Sequence, residues 1–224
     1  MAVEPLHTTH GTVSISVDGP EDASVTLVLA PGAGADMQHE FMVVVSDELT
    51  GRGLRVVRFN FLYAEQGRKS PDRAPVLEDT YRSVVEHVRG LTIGRPLFLG
   101  GKSMGGRIAS QVVAQDVDCA GLVYLGYPLH PPGRPDRIRD DHLYGIDRPM
   151  LFVEGTRDPF CPIDTLQKVR KRLPDSTLVL IDDGDHSFKV RKASGRTTPE
   201  AWAEVASAAA GWMVAHARRD PEPF

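Results

Sequence analysis

The chain has 224 residues, 41% of them hydrophobic and 25% charged, the size and balance of one soluble domain with a sizeable core. A formal net charge of −4 argues against nucleic acid or an anionic membrane surface as the main partner, and no apolar run approaches the length of a membrane span. Two cysteines, Cys119 and Cys161, supply neither a disulfide framework nor metal-ligand spacing, and residues 1–12 lack a basic start followed by an apolar block, so a reducing cytoplasm is the expected location.

In chain order, residues 11–17 alternate Val13, Ile15 and Val17 with small polar residues, as a half-buried strand near a sheet edge does. After the turn Gly19-Pro20-Glu21-Asp22, residues 25–30 form a continuous apolar strand of the kind buried on both faces of a parallel sheet. The glycine-rich segment Pro31-Gly32-Ala33-Gly34-Ala35-Asp36 closes it. A helix over 38–50 sets Phe41, Met42, Val45 and Leu49 on one face and stops at Gly51. A strand over 54–61 leads to a polar loop over 63–75 and a helix over 76–90. The stripe Leu77, Tyr81, Val84, Val85 and Val88 makes that helix a core element, with His87 off the stripe and toward solvent. An apolar strand from Leu97, a helix to Gln115 and a strand within 119–127 come next. Residues 128–148 are irregular, rich in Pro, Arg and Asp, with room for one short helix. A strand over 150–154, a helix over 163–173 ended by Pro174, and a strand over 177–181 precede a long amphipathic helix over 198–217. Trp202, Val205, Ala209 and Trp212 face inward there, and Pro199 suits its first turn. This alternation predicts an α/β fold with a mostly parallel sheet of about seven strands and helices on both faces. In such sheets chemistry sits at the carboxyl ends of the strands.

The strand from Leu97 runs into Gly100-Gly101-Lys102-Ser103-Met104-Gly105-Gly106, and a helical pattern follows over 107–115. A Gly-x-Ser-x-Gly in the context strand, sharp turn, helix is a nucleophile elbow. Gly101 and Gly105 leave room for the turn, where a Cβ would crowd strand or helix. Ser103 is then lifted out beside the helix N-terminus, whose first N–H groups, Met104 foremost, face the place where an oxyanion forms. Gly101-Lys102-Ser103 is also the tail of a phosphate-binding P-loop, but that motif needs a glycine where Pro96 stands and a flexible loop where the strand continues. A chance match in a glycine-rich chain is the plain alternative, and the residues after the other strands decide against it.

Two of those strands end at candidate partners. Gly155-Thr156-Arg157-Asp158-Pro159 follows the strand over 150–154, and Asp182-Asp183-Gly184-Asp185-His186-Ser187 follows the strand over 177–181. With Ser103 the chain order is Ser, Asp, His. His186 is the candidate base because imidazole exchanges a proton near neutrality, and Asp158 would accept its Nδ1–H and stabilise the imidazolium. Ala33 N–H, with Gly34 as fallback, is the expected second oxyanion donor beside Met104 N–H. Glu154 is the alternative acid, inside or at the end of its strand. Asp182, Asp183 and Asp185 are expected to shape the loop carrying His186. Lys102 and His130 are possible pocket residues, although Lys102 could equally face solvent or pair with an acid. Arg107, Arg68 and Lys69 read as surface charges.

The residues quoted so far resemble the α/β-hydrolases, most of all the small dienelactone-hydrolase-like members. They look similar to a group of predicted hydrolases related to the testis-expressed Tex-type proteins and to a subunit of a histone-acetyltransferase complex. The resemblance rests on the segment from Ala30 to Met37, on Arg58-Phe59-Asn60-Phe61, on the elbow through Arg107, on Tyr127-Pro128-Leu129-His130 and on Gly184-Asp185-His186-Ser187. It implies a single α/β-hydrolase domain over residues 1–224 with a minimal lid over 130–148, and the triad Ser103, Asp158 and His186. It also implies hydrolysis of a carboxylic ester or thioester, with a small-molecule ester as partner and no metal or organic cofactor. Dienelactone hydrolases proper use cysteine where this chain has Ser103, and many relatives carry histidine where it has Pro31. The rival expectation, suggested by relatives inside larger assemblies, is a catalytically idle interaction module on the same fold.

Overall fold

A computed structural model describes residues 2–218; Met1 and residues 219–224, part of the single-domain expectation, lie outside the described residues. An eight-stranded sheet forms in the order β1-β2-β4-β3-β5-β6-β7-β8. Its strands are β1 (Ala2–Thr8), β2 (Gly11–Asp18), β3 (Thr26–Ala30), β4 (Arg55–Phe59), β5 (Leu97–Lys102), β6 (Gly121–Leu125), β7 (Met150–Gly155) and β8 (Ser176–Ile181). β2 runs antiparallel to β1 and β4, and every pairing from β4 to β8 is parallel. The expected count of about seven omits β1. Its Pro5 argues against a strand in the sequence, yet an edge position leaves proline's missing N–H unneeded. β2 is therefore an inner strand, and β1 is the edge.

The helices are α1 (Glu40–Thr50), α2 (Leu62–Glu65), α3 (Ala74–Leu91), α4 (Met104–Val113), α5 (Ile163–Arg170) and α6 (Thr198–Ala217). α2 is a single turn inside the stretch expected to be loop, and α4 begins at the elbow itself rather than at Arg107. α6 has the expected bounds because Thr197 and Glu200 close a capping box ahead of Pro199. Its Trp202, Val205, Ala209 and Trp212 are buried in one core with the apolar face of α1. The stripes of α3 and α4 fill the other core, on the opposite face of the sheet. His87 is half-buried rather than solvent-facing, with Nε2 3.6 Å from Glu4 of β1, the strand missed in the sequence. The irregular stretch contains one short 3-10 helix, Asp141–Gly145, whose Leu143 is buried against α4.

One side chain ties α3 to the middle of the sheet. The hydroxyl of Tyr81 accepts from Gly100 N at 2.9 Å and lies 2.9 Å from Gly100 O and 3.3 Å from Val28 O. Tyr81→Phe leaves a buried N–H without its partner. The expected outcome is a loss of about 2 kcal/mol in chemical denaturation; a loss below about 0.5 kcal/mol would mean that another group satisfies Gly100.

Candidate active site

β3 lies between β4 and β5, so the chain order reverses beside it and leaves a crevice at the carboxyl ends of β3 and β5. Ser103 stands there with φ +50° and ψ −114°, a conformation that side-chain-bearing residues seldom adopt. The glycines beside it permit this. A Cβ on Gly101 would meet Ala30 O at 2.6 Å and Gly105 C at 2.7 Å, and one on Gly105 would meet Ala30 O at 2.4 Å. Gly100, Gly101 and Lys102 lie within β5, so no loop is present to cradle a phosphate in the manner of a P-loop.

The three candidate residues meet. His186 Nε2 is 2.8 Å from Ser103 Oγ, and His186 Nδ1 is 2.6 Å from Asp158 Oδ2. A neutral imidazole satisfies both contacts with Nδ1–H donating to the carboxylate and Nε2 accepting from the serine hydroxyl. Asp158 Oδ1 accepts from Phe160 N at 2.8 Å, so both carboxylate oxygens are engaged, and its side chain is fully buried. Burial lowers the pKa of His186 below its ordinary value, outweighing the upward pull of Asp158, and the charge of Lys102 lowers it further.

The loops after β7 and β8 hold this geometry by bonding to each other. Arg157 N donates to Gly184 O at 2.8 Å, Asp183 N donates to Thr156 Oγ1 at 2.9 Å, and a Cβ on Gly155 would strike Gly184 O at 2.3 Å. The carboxylate of Asp183 pairs with Arg157 and Arg191, and Asp185 accepts from Ser187 N and Lys189 N. These two acids do shape the loop. Asp182 is exposed, and its charge is felt by Arg191. Trp202 Nε1 donates to Ser187 O from α6, and Phe188 sits at φ +57°, a further strained position that packing maintains.

The loop after β3 is braced from β4. Fully buried Arg58 pairs with Asp18 at 2.8 Å and donates to Met37 O at 2.6 Å, and Asn60 Oδ1 accepts from Met37 N at 2.7 Å. The hydroxyl of buried Tyr63 accepts from Gly34 N at 3.2 Å and lies 3.2 Å from Gly32 O. The fallback donor Gly34 is thus already engaged, whereas Ala33 N–H takes part in no hydrogen bond among the described residues. Met104 opens α4, so its N–H has no partner within the helix. Tyr63 was placed in a polar loop by the sequence; the spacing Phe59, Phe61, Tyr63, which continues the inward alternation of β4, was the available signal.

Lys102 neither faces solvent nor pairs directly with an acid. It is 9% exposed, its Nζ has no hydrogen-bond partner among the described residues, and it lies 5.7 Å from the centre of the Phe188 ring. Both Lys102 Nζ and Asp158 Oδ2 lie within 4 Å of the point a Gly126 Cβ would occupy. Burial pushes Lys102 down to about 8, against the charges of Asp158, Glu154 and Asp185. Glu154, the alternative acid, is fully buried and accepts from Tyr127 N at 2.6 Å, while the imidazole goes to Asp158. Burial and Asp158 raise the Glu154 pKa well above its ordinary value. His130 is buried, with its ring nitrogens 3.0 Å from Pro131 O and Pro159 O, and so braces the turn that carries Asp158.

Ser103 and His186 open onto a cavity of about 530 Å³, lined also by Ala33, Met104, Lys102 and His130. Arg107, read as a surface charge, lines this cavity as well, because α4 starts three residues earlier than the sequence suggested and turns its first face toward the site. Arg68, by contrast, is exposed and pairs with Asp72 at 2.6 Å. No group of three or more metal-ligating side chains is found among the described residues, and no described helix is long and apolar enough to cross a membrane.

The architecture is shared with known structures of low sequence identity. A dienelactone hydrolase from Anabaena variabilis superposes with a TM-score of 0.76 at 18% identity, covering 96% of each chain. A serine hydrolase without a lid from Xanthomonas campestris gives 0.73 at 22% identity, covering 95% of this chain and 94% of that one. Est1E from Butyrivibrio proteoclasticus, solved with ferulic acid bound, gives 0.74 at 17% identity, covering 95% of this chain and 99% of that one. At these identities the likeness is one of fold. Residues 23–214 match the family described as the alpha/beta hydrolase domain, and with that match over most of its length the chain belongs to the α/β-hydrolase family.

Proposed function

We propose that this protein is a serine hydrolase that cleaves a carboxylic ester or thioester through Ser103, His186 and Asp158. The observation that carries the proposal is the unbroken hydrogen-bonded chain from Ser103 Oγ through both imidazole nitrogens to a fully buried carboxylate. Esterases and serine hydrolases among the similar structures support it.

Each group has a task. Ser103 Oγ forms a bond to the acyl carbon while His186 Nε2 takes its proton. The negative charge on the carbonyl oxygen faces Met104 N–H, with Ala33 N–H as the second donor. His186 returns the proton to the departing alcohol or thiol as the bond to it breaks. A water molecule then attacks the acyl-enzyme, gives its proton to His186, and releases the acid as Ser103 recovers its hydrogen. Asp158 keeps Nδ1 protonated and offsets the imidazolium charge in both halves. The segment over 130–148 contributes His130, Pro132 and Arg139 to the cavity wall.

A fluorophosphonate probe tests the mechanism because it reports an activated serine whatever the natural substrate. Wild type is expected to label, and His186→Ala to label slower by roughly 10²- to 10⁴-fold. The neutral imidazole is the base, and burial lowers its pKa, so the labelling rate should stay level through neutrality and fall only below the ordinary imidazole range near 6.5. Folded wild type that fails to label, or a histidine variant that labels equally fast, would reject the mechanism and favour the idle module.

A further inference from the structure

One wall of the cavity carries positive charge that no carboxylate pairs with among the described residues. Arg107 lies one helical turn beyond the elbow, its N–H donating to Ser103 O at 3.1 Å. Arg139 comes from the irregular segment and is tethered by its N–H to Leu129 O at 2.8 Å, just past β6. Both line the cavity that holds Ser103 and His186. No side-chain hydrogen bond or ion pair of either arginine is found among the described residues, and Arg107 Nε is sealed from solvent without a partner.

The surrounding groups do not neutralise this pair. Among the described lining residues the one carboxylate is Glu40, exposed at the start of α1, while Lys102 and Lys189 add positive charge. Asp140, next in sequence to Arg139, accepts the hydroxyl of Tyr144. His142, pushed down to about 4 by burial and by Arg107, is a neutral partner of Ser110 Oγ at 2.8 Å. Burial lowers Arg139, and the charges of Arg107 and Arg137 lower it further, so these guanidinium groups repel one another, and two of them, Arg107 and Arg139, line the same cavity. Arg107 Nε is withdrawn from water, where a charged group is ordinarily paired, and a guanidinium is shaped to hold a planar carboxylate through two parallel hydrogen bonds.

We infer that Arg107 and Arg139 form an anion subsite of this cavity and that the substrate is an ester that also carries a carboxylate. The inference rests on the ester-hydrolase reading for its chemistry and on the unpaired arginines for the substrate class. The carboxylate lies about one helical turn, near 5 Å, from the nucleophile along α4, plus the reach of the side chains.

Two pairs of esters test it, one with the carboxylate on the acyl side and one with it on the alcohol side. 4-Nitrophenyl hydrogen adipate is compared with 4-nitrophenyl hexanoate, and 4-acetoxybenzoate with its methyl ester, after subtraction of the spontaneous rates. Wild type is expected to prefer the charged member of at least one pair by kcat/KM. Arg107→Gln and Arg139→Gln should each reduce that ratio roughly tenfold, with Arg107→Lys recovering part of it. Free adipate at low salt should raise the Tm of wild type and not that of the doubly substituted protein, a readout independent of catalysis. Cleavage without a charge preference, or a preference and a thermal shift that survive both substitutions, would overturn the subsite. An arginine-dependent adipate shift in a protein that cleaves no ester would reject the ester reading while supporting the subsite; absence of both would reject both.

Discussion

Ser103→Ala is expected to lower kcat for ester hydrolysis by at least about 10⁴-fold while leaving the fold intact. In the proposed mechanism its Oγ is the atom that bonds to the acyl carbon, and alanine has nothing to replace it. His186 would still meet Asp158 at 2.6 Å, and the N–H groups of Met104 and Ala33 would still face the carbonyl oxygen, so a small residual rate above water is expected. The substitution removes one methylene-borne hydroxyl from a strained turn and no packing contact of consequence, so the Tm should stay within a few degrees or rise slightly. Steady-state kinetics and a thermal melt on the same preparation separate the two effects. Retention of more than about a tenth of the wild-type kcat with an unchanged melt would show that another residue is the nucleophile.

The second large effect is expected from Gly105→Ala, one methyl group in the first turn of α4. That methyl would lie 2.4 Å from Ala30 O and 2.7 Å from Ala30 C and Pro31 O. All three neighbours are backbone, so none can swing aside as the end of a flexible side chain does. Either α4 moves away from the end of β3 or the loop carrying Ala33 moves, and each displaces the elbow. A destabilisation above about 4 kcal/mol is expected, read as insoluble expression or an early denaturation midpoint. Gly90→Ala is the contrast: a Cβ there meets nothing within 4 Å, the residue lies inside α3, and a gain of up to about 1 kcal/mol is expected from helix propensity alone. Equal, small effects at both positions would mean that α4 and β3 are not closely packed.

The elbow was legible because its constraint is local. Gly101 and Gly105 flank Ser103 within one turn of chain, and the consequence of a Cβ at either is decided by the strand–turn–helix path itself. Asp158 and His186 were legible for a related reason: each follows an apolar strand, and parallel strands deliver their carboxyl ends to one edge of the sheet. β1 was not legible, because Pro5 forbids an inner strand and nothing in the local pattern says that the strand will sit at an edge. Arg58 and Asn60 were quoted only as part of a resemblance. Their work, holding Met37 through its O and N–H from 21 and 23 residues away along the chain, depends on β4 lying beside β3.

The charged residues show where local reading stops. Lys102 and Arg107 both flank the elbow, and both carried open or surface readings in the sequence. The chain folds one under the site, nine-tenths buried beside Phe188 and near Asp158, and sets the other on the cavity wall. Periodicity and turn sterics act over a few residues, so the alternation of strands and helices, the elbow and the order in which Ser103, Asp158 and His186 reach the sheet edge could be read along the chain. Which candidate oxyanion donor is already bonded, which acid the imidazole meets and which cations lack a partner among the described residues emerged from folding, because the partners of a polar group are set by distant segments and by how much water folding leaves around them.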